Sequence, residues 1–178
     1  MELQHCHFML WREKMNNKPI KAIFAGTFDP ITNGHVDIIE RASKLFGELQ
    51  IGILINPNKK TLFTIEERVN LIKKSTEHID NVEVIFFEGL LIDYCKKNDI
   101  KVLVRGVRSS ADVSYELQMA HMNKELEESI ETVILPTNTK YSFISSSLIK
   151  EVLNFDANID NLVPKCVLEE LKKKRSTL

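Results

Sequence analysis

The sequence predicts an α/β fold: a single doubly wound, Rossmann-like domain on a five-stranded parallel sheet, closed by C-terminal helices. Three observations predict it. Short apolar runs bounded by turn residues alternate five times with segments of helical periodicity. The runs are apolar almost throughout, as in parallel strands covered on both faces. The chain has 178 residues, enough for one domain of this kind.

The elements follow in order. Ile20 to Ala25, ending in Gly26, reads as the first strand. Thr32-Asn33-Gly34 supplies turn and capping chemistry, and Val36, Ile39, Ala42, Leu45 and Phe46 recur at helical spacing. Leu49 to Ile55 is a second strand, broken by Asn56-Pro57-Asn58. Thr64-Ile65-Glu66-Glu67 has the spacing of a capping box and opens a helix to about Thr76. Val82 to Phe87 is strand three, punctuated by Gly89, with a helix from Leu90 to about Lys97. Val102 to Val104 is strand four. Asp112 or Ser114 caps a long polar helix to about Glu128. Thr132 to Leu135 is strand five, and helices over Ser145–Leu153 and Pro164–Lys174 close the chain.

Composition removes several classes of function. Lys and Arg number 24 against 25 Asp and Glu, a net charge of −1. That argues against a nucleic-acid coat protein and against an acidic disordered chain. No apolar run approaches the ~20 residues of a membrane span. Three scattered cysteines, Cys6, Cys95 and Cys166, form no CxxC pair and point to a reducing compartment rather than a disulfide framework. The first residues, with His5-Cys6-His7 and a short apolar stretch, fail the pattern of a signal peptide. Met15 is a plausible alternative start. Residues 1–17 are expected to be a leader outside the fold and 18–178 the working domain.

In doubly wound folds ligands sit beyond the carboxyl ends of the strands. The loops there share one chemistry. After strand one, Gly26-Thr27-Phe28-Asp29-Pro30-Ile31-Thr32-Asn33-Gly34-His35 leads into a helix whose free N–H groups favour phosphate, and His35 can donate to a phosphate oxygen. Lys59-Lys60 follows strand two. Arg105-Gly106-Val107-Arg108 follows strand four with two guanidinium forks suited to phosphate. Tyr141 to Ser147 brings three serines to a helix N-terminus after strand five. Each segment alone also reads as an ordinary turn, cap or surface ion pair, with Asp112 or Glu116 as partners for the arginines. Four cationic or amide-rich loops on one edge read as a polyanion site.

The ordered set GTFDPITNGH, NPNKK, RGVR, YELQMAHMN and YSFISSSLIKE resembles the bacterial phosphopantetheine adenylyltransferases, within the nucleotidyltransferase superfamily that carries an (H/T)xGH signature. The likeness runs from about Lys21 to Lys172. Thr32 selects within the superfamily, since mononucleotide adenylyltransferases usually carry His there. Ala25, Val107 and Ser109-Ser110 are mild departures that remove no functional side chain.

The resemblance implies transfer of AMP from ATP to 4′-phosphopantetheine, giving dephospho-coenzyme A and pyrophosphate. It implies His35 as the catalytic residue stabilising the transition state. It implies a nucleotide site of Thr27, Phe28, His35, Gly106, Val107, Arg108, Glu116, Tyr141, Ser142, Phe143, Ile144, Ser145, Ser146 and Ser147. Acceptor contacts would come from Thr27, Lys59, Leu91 and Arg105. It implies Mg²⁺ accompanying ATP, a homohexamer and a cytoplasmic location, with no membrane or nucleic-acid partner. The alternatives are a nucleotidyltransferase for another phosphate acceptor, such as nicotinate mononucleotide, and a non-catalytic nucleotide sensor.

Overall fold

The computed structural model describes residues 19–55, 60–153, 155 and 157–175. The expected leader, residues 1–17, lies outside them, as does Lys59. The chain runs β1 (Lys21–Gly26), α1 (Asn33–Leu45), β2 (Glu48–Ile55), α2 (Ile65–Ser75), β3 (Val82–Glu88) and α3 (Leu91–Lys97). It continues through β4 (Val102–Val107), α4 (Ser110–Leu126), β5 (Glu131–Pro136), a 3-10 turn (Thr139–Tyr141), α5 (Ser146–Leu153) and α6 (Lys165–Arg175). The five strands are parallel, in the order β3-β2-β1-β4-β5. The chain therefore winds outward from β1 in one direction and restarts at β4 on its other side. The crevice between β1 and β4 is the switch point where such folds bind ligands.

Alternation along β1 builds two cores at once. Ala22 and Phe24 join a cluster with Ile38, Ile39, Leu71, Ile72, Ile149 and Val167, which seats α1, α2, α5 and α6 on one face. Ile23 and Ala25 join Phe87, Ile92, Cys95, Leu103 and Ile130 on the other, under α3. Gly52 makes room for this second cluster, because a Cβ there would lie 2.8 Å from Ile23 and 2.9 Å from Phe87. Burial pushes the Cys95 thiol up to about 11, so it is a packing residue rather than a nucleophile.

Local chemistry sets the ends of the helices. Thr64 and Glu67 close the expected capping box on α2, with the Thr64 N–H donating to Glu67 Oε2 at 2.8 Å. Such caps contribute about 1 kcal/mol each. At the amino end of the sheet Asn81 Nδ2 donates to the carbonyls of Ser43 and Phe46, both at 2.9 Å, and ties the α1–β2 connection to the start of β3.

Three expectations need correcting. Strand four does not stop at Val104; its ladder with β5 continues to Val107, so Arg105 and Gly106 lie within the strand. Helix α4 is capped by Ser109, whose side chain accepts from the Asp112 N–H, rather than by Asp112 or Ser114. Leu45, placed on the helical stripe of α1 by its spacing, is 60% exposed.

Candidate active site

A cavity of about 400 Å³ opens at the β1–β4 switch point. The β1–α1 loop, the end of β4, the first turns of α4 and the start of α5 line it. Of the residues expected there, Thr27, Phe28, His35, Arg105, Gly106, Arg108, Glu116, Tyr141, Ile144, Ser145, Ser146 and Ser147 all do. Val107, Ser142, Phe143 and Leu91 are not among its lining residues. Val107 alternates to a buried position beneath the strand, and Phe143 is 60% exposed. Leu91 packs against the core on the α3 face of the sheet. Lys60 is exposed, outside the lining.

The β1–α1 loop is shaped by its own aromatic ring. Phe28 takes a positive φ of 47°. Its ring occupies the space beside Gly26, where a Cβ would meet Phe28 Cζ at 3.2 Å. The glycine at position 26 thus makes room for the Phe28 ring. Phe28 in turn packs edge-on against His35, with ring centroids 5.2 Å apart.

His35 is the third residue of α1 and completes a capping box with Thr32. The Thr32 backbone N–H donates to His35 Nδ1 at 3.0 Å. An amide N–H can only donate, so Nδ1 carries the lone pair. Burial, with the positive charge of Arg108 adding to it, pushes the imidazole down to about 4. The ring is therefore neutral near pH 7, and its one proton sits on Nε2. A cap that looks purely structural fixes a hydrogen-bond donor at a cavity wall.

Among the described residues three cations line the cavity, each braced by a carboxylate. Arg105 grips Glu116 with both arms, Nε to Oε2 and Nη2 to Oε1 at 2.7 Å, and donates from Nη1 to the Ala25 carbonyl at 2.9 Å. Glu116 is 7% exposed and is the one buried residue of α4. Arg108 Nε donates to Asp112 at 3.0 Å, and its Nη1 reaches the Ile144 carbonyl at 3.1 Å, joining β4 to the serine run. Lys150 Nζ lies 2.8 Å from Asp29 Oδ2. Asp29, 2% exposed, also accepts from the N–H groups of Leu62 and Phe63. Burial raises the Asp29 carboxyl, but Lys150 and the two amides outweigh it and hold the group below its usual value.

Comparisons with known proteins show the family. The family model for cytidylyltransferase-like proteins matches residues 23–152. A phosphopantetheine adenylyltransferase of Clostridium novyi is 57% identical over 153 residues, covering 86% of this chain and 95% of that protein. One of Clostridium botulinum (strain Eklund 17B) is 53% identical over 150 residues, covering 84% and 94%. The chain belongs to the phosphopantetheine adenylyltransferase family. Among solved structures, a Vibrio parahaemolyticus protein described as a putative nicotinate-nucleotide adenylyltransferase superposes with a TM-score of 0.67 at 20% identity, covering 88% of this chain and 93% of that one. That likeness speaks for the fold.

Sequence reasoning missed some residues at the site of this adenylyltransferase family member. Asp29 stands in the loop motif with no role of its own, yet its carboxylate joins three segments. Lys150 falls outside the serine run, but it follows Ser146 by one helical turn, a spacing that places both on one face of α5. Thr137, just past β5, also lines the cavity. Arg68 of α2, 4% exposed, donates to the Thr27 carbonyl at 3.0 Å from beneath the loop.

Proposed function

We propose that the chain transfers the AMP portion of ATP to the phosphate of 4′-phosphopantetheine, releasing pyrophosphate and forming dephospho-coenzyme A. The carrying observation is a switch-point cavity lined by a fixed imidazole donor and braced cations, in a chain 57% identical to a protein of that name. An acceptor phosphate oxygen attacks the α-phosphorus of ATP in line. The bond from that phosphorus to the bridging oxygen of the β-phosphate breaks, and pyrophosphate leaves with the electron pair. A phosphate monoester is already a competent nucleophile, so catalysis reduces to positioning and charge stabilisation. His35 suits that role and not general-base catalysis: Nδ1 is occupied by Thr32, and the ring binds a proton only weakly. In this reading Nε2–H donates to the α-phosphate as charge builds there. Arg105 binds the acceptor phosphate, with Lys59 assigned to the same task by resemblance. Arg108 and the amides at the start of α5 take the β- and γ-phosphates.

Mg²⁺ enters with the nucleotide as part of the substrate. Among the described residues no three His, Cys, Asp or Glu side chains gather as a metal cage. Phosphates and water would supply most of its ligands, as this ion favours. Among the described residues no helix is long and apolar enough to cross a membrane. A cytoplasmic setting fits the use of ATP and the free thiols Cys95 and Cys166.

The test is pyrophosphate release with ATP and a panel of acceptors. Turnover is expected with 4′-phosphopantetheine and not with nicotinate mononucleotide; the reverse preference would overturn the assignment.

The homohexamer is supported by α4. Tyr115, Met119, Met122 and Leu126 recur at i, i+4, i+7 and i+11 and are 58%, 37%, 56% and 44% exposed. Apolar residues such as Val113 and Leu117 lie on its other sides too, so the spacing singles out no face, yet this apolar stripe is without cover. A second copy of the chain would bury it. Sedimentation equilibrium is expected to return about six times the chain mass of 20.5 kDa, and a monomer would overturn the assembly.

A further inference from the structure

We propose that Lys150 is an additional phosphate-binding residue of the nucleotide site, held in place by Asp29. This inference rests on the nucleotide reading of the cavity given above.

Three features carry it. Lys150 lines the cavity in the same manner as Arg105 and Arg108, each cation braced by one carboxylate. Its ammonium has three N–H groups. Asp29 takes one, and no other partner occurs among the described residues, so two remain for a ligand. Its side chain is 29% exposed, where that of Asp29 is 2% exposed. The pair thus turns its positive end outward and its negative end inward, against the amides of Leu62 and Phe63.

Its place on α5 selects the ligand group. Side chains on a helix lean toward the N-terminus, so Lys150 reaches back past Ser146 and Ser147 toward the free amides of the first turn. Arg108 reaches the same corner through the Ile144 carbonyl. Lys150, Arg108 and those amides together form a corner for several linked phosphates. A single phosphate held by His35 and Arg105 would not require it. The ligand chemistry is the polyphosphate end of a nucleoside triphosphate.

Direct binding measured on the full chain separates this role from a structural one. Isothermal titration with ATP and with AMP is compared for wild type, Lys150→Gln, Lys150→Met and Lys150→Arg. Lys150→Gln keeps a donor for Asp29 but removes the charge. It is expected to weaken ATP by roughly tenfold or more while AMP changes by less than about twofold, in line with loss of charge-assisted hydrogen bonds. Lys150→Arg should retain ATP affinity within about threefold. Equal losses for ATP and AMP, or rescue of ATP by Gln as well as by Arg, would show that Lys150 only holds Asp29. Should Lys150→Met fail to fold, the Gln and Arg variants still decide the matter. A wild-type protein that bound no ATP would overturn the nucleotide reading and this inference together. ATP binding that survives the loss of the charge would overturn this inference alone.

Discussion

Replacement of His35 by Ala is expected to lower kcat by about two to three orders of magnitude, the usual cost of removing one donor to developing charge. ATP affinity measured by calorimetry should change little, because the donor acts on charge that grows in the transition state. The side chain also closes the cap of α1, so a stability loss of about 1 kcal/mol is expected beside it. Denaturant titration separates the two effects. A kcat within a few-fold of wild type would remove His35 from the chemistry. The proton state adds a second check. With the imidazole pushed down to about 4, the ring is neutral, with Nε2–H as its donor, from about pH 5 upward. The pH profile of kcat should therefore carry no inflection near 6.5 from this residue. The sign for stability follows from the same shift. Between about 4 and 6.5 the unfolded chain binds the proton that the folded one excludes, so this contribution is complete above 6.5 and is lost as pH falls toward 4.

Arg105→Ala should have the second large effect, on two properties at once. Loss of the acceptor's phosphate contact is expected to raise the KM for the acceptor at least tenfold more than that for ATP. Glu116 would also lose its bidentate partner in a buried position. Breaking a buried pair costs about 3–5 kcal/mol. The Arg105 side chain is 29% exposed, so roughly 2–3 kcal/mol is the better expectation here. A double variant, Arg105→Ala with Glu116→Gln, separates these losses. It should recover much of the stability and none of the acceptor affinity. Recovery of both would mean that Arg105 serves the fold and not the phosphate.

The legible and the hidden parts of this protein divide by sequence distance. Capping residues act within three or four positions, so Thr64 and Glu67 announced α2 and Thr32 announced α1. The parallel sheet was visible because its strands are apolar on both faces. The end of β4 was not. Arg105-Gly106 looks like a loop, yet strand pairing with Ile134 and Leu135 outweighs that local composition. The pairing of Arg105 with Glu116 was noted only as an ordinary surface pair, since nothing local shows that α4 turns Glu116 inward. Asp29 lay furthest from reach. Its partners stand 33 to 121 positions away, at Leu62, Phe63 and Lys150. No periodicity encodes such a junction. The apolar stripe of α4 was obscured for a different reason: polar and apolar residues alternate around the helix so evenly that no single side dominates until exposure is known.

The strand order has one last consequence. Because every strand points the same way, the candidate site residues lie at one end of the sheet, and none of the described ones lies at the opposite end. The connection clasped by Asn81 belongs to that second end. Changes there are expected to alter stability alone, whereas changes at the cavity alter turnover as well as stability. The two ends can accordingly drift at independent tempos, and a graft or label placed at the quiet end leaves the working end its own geometry.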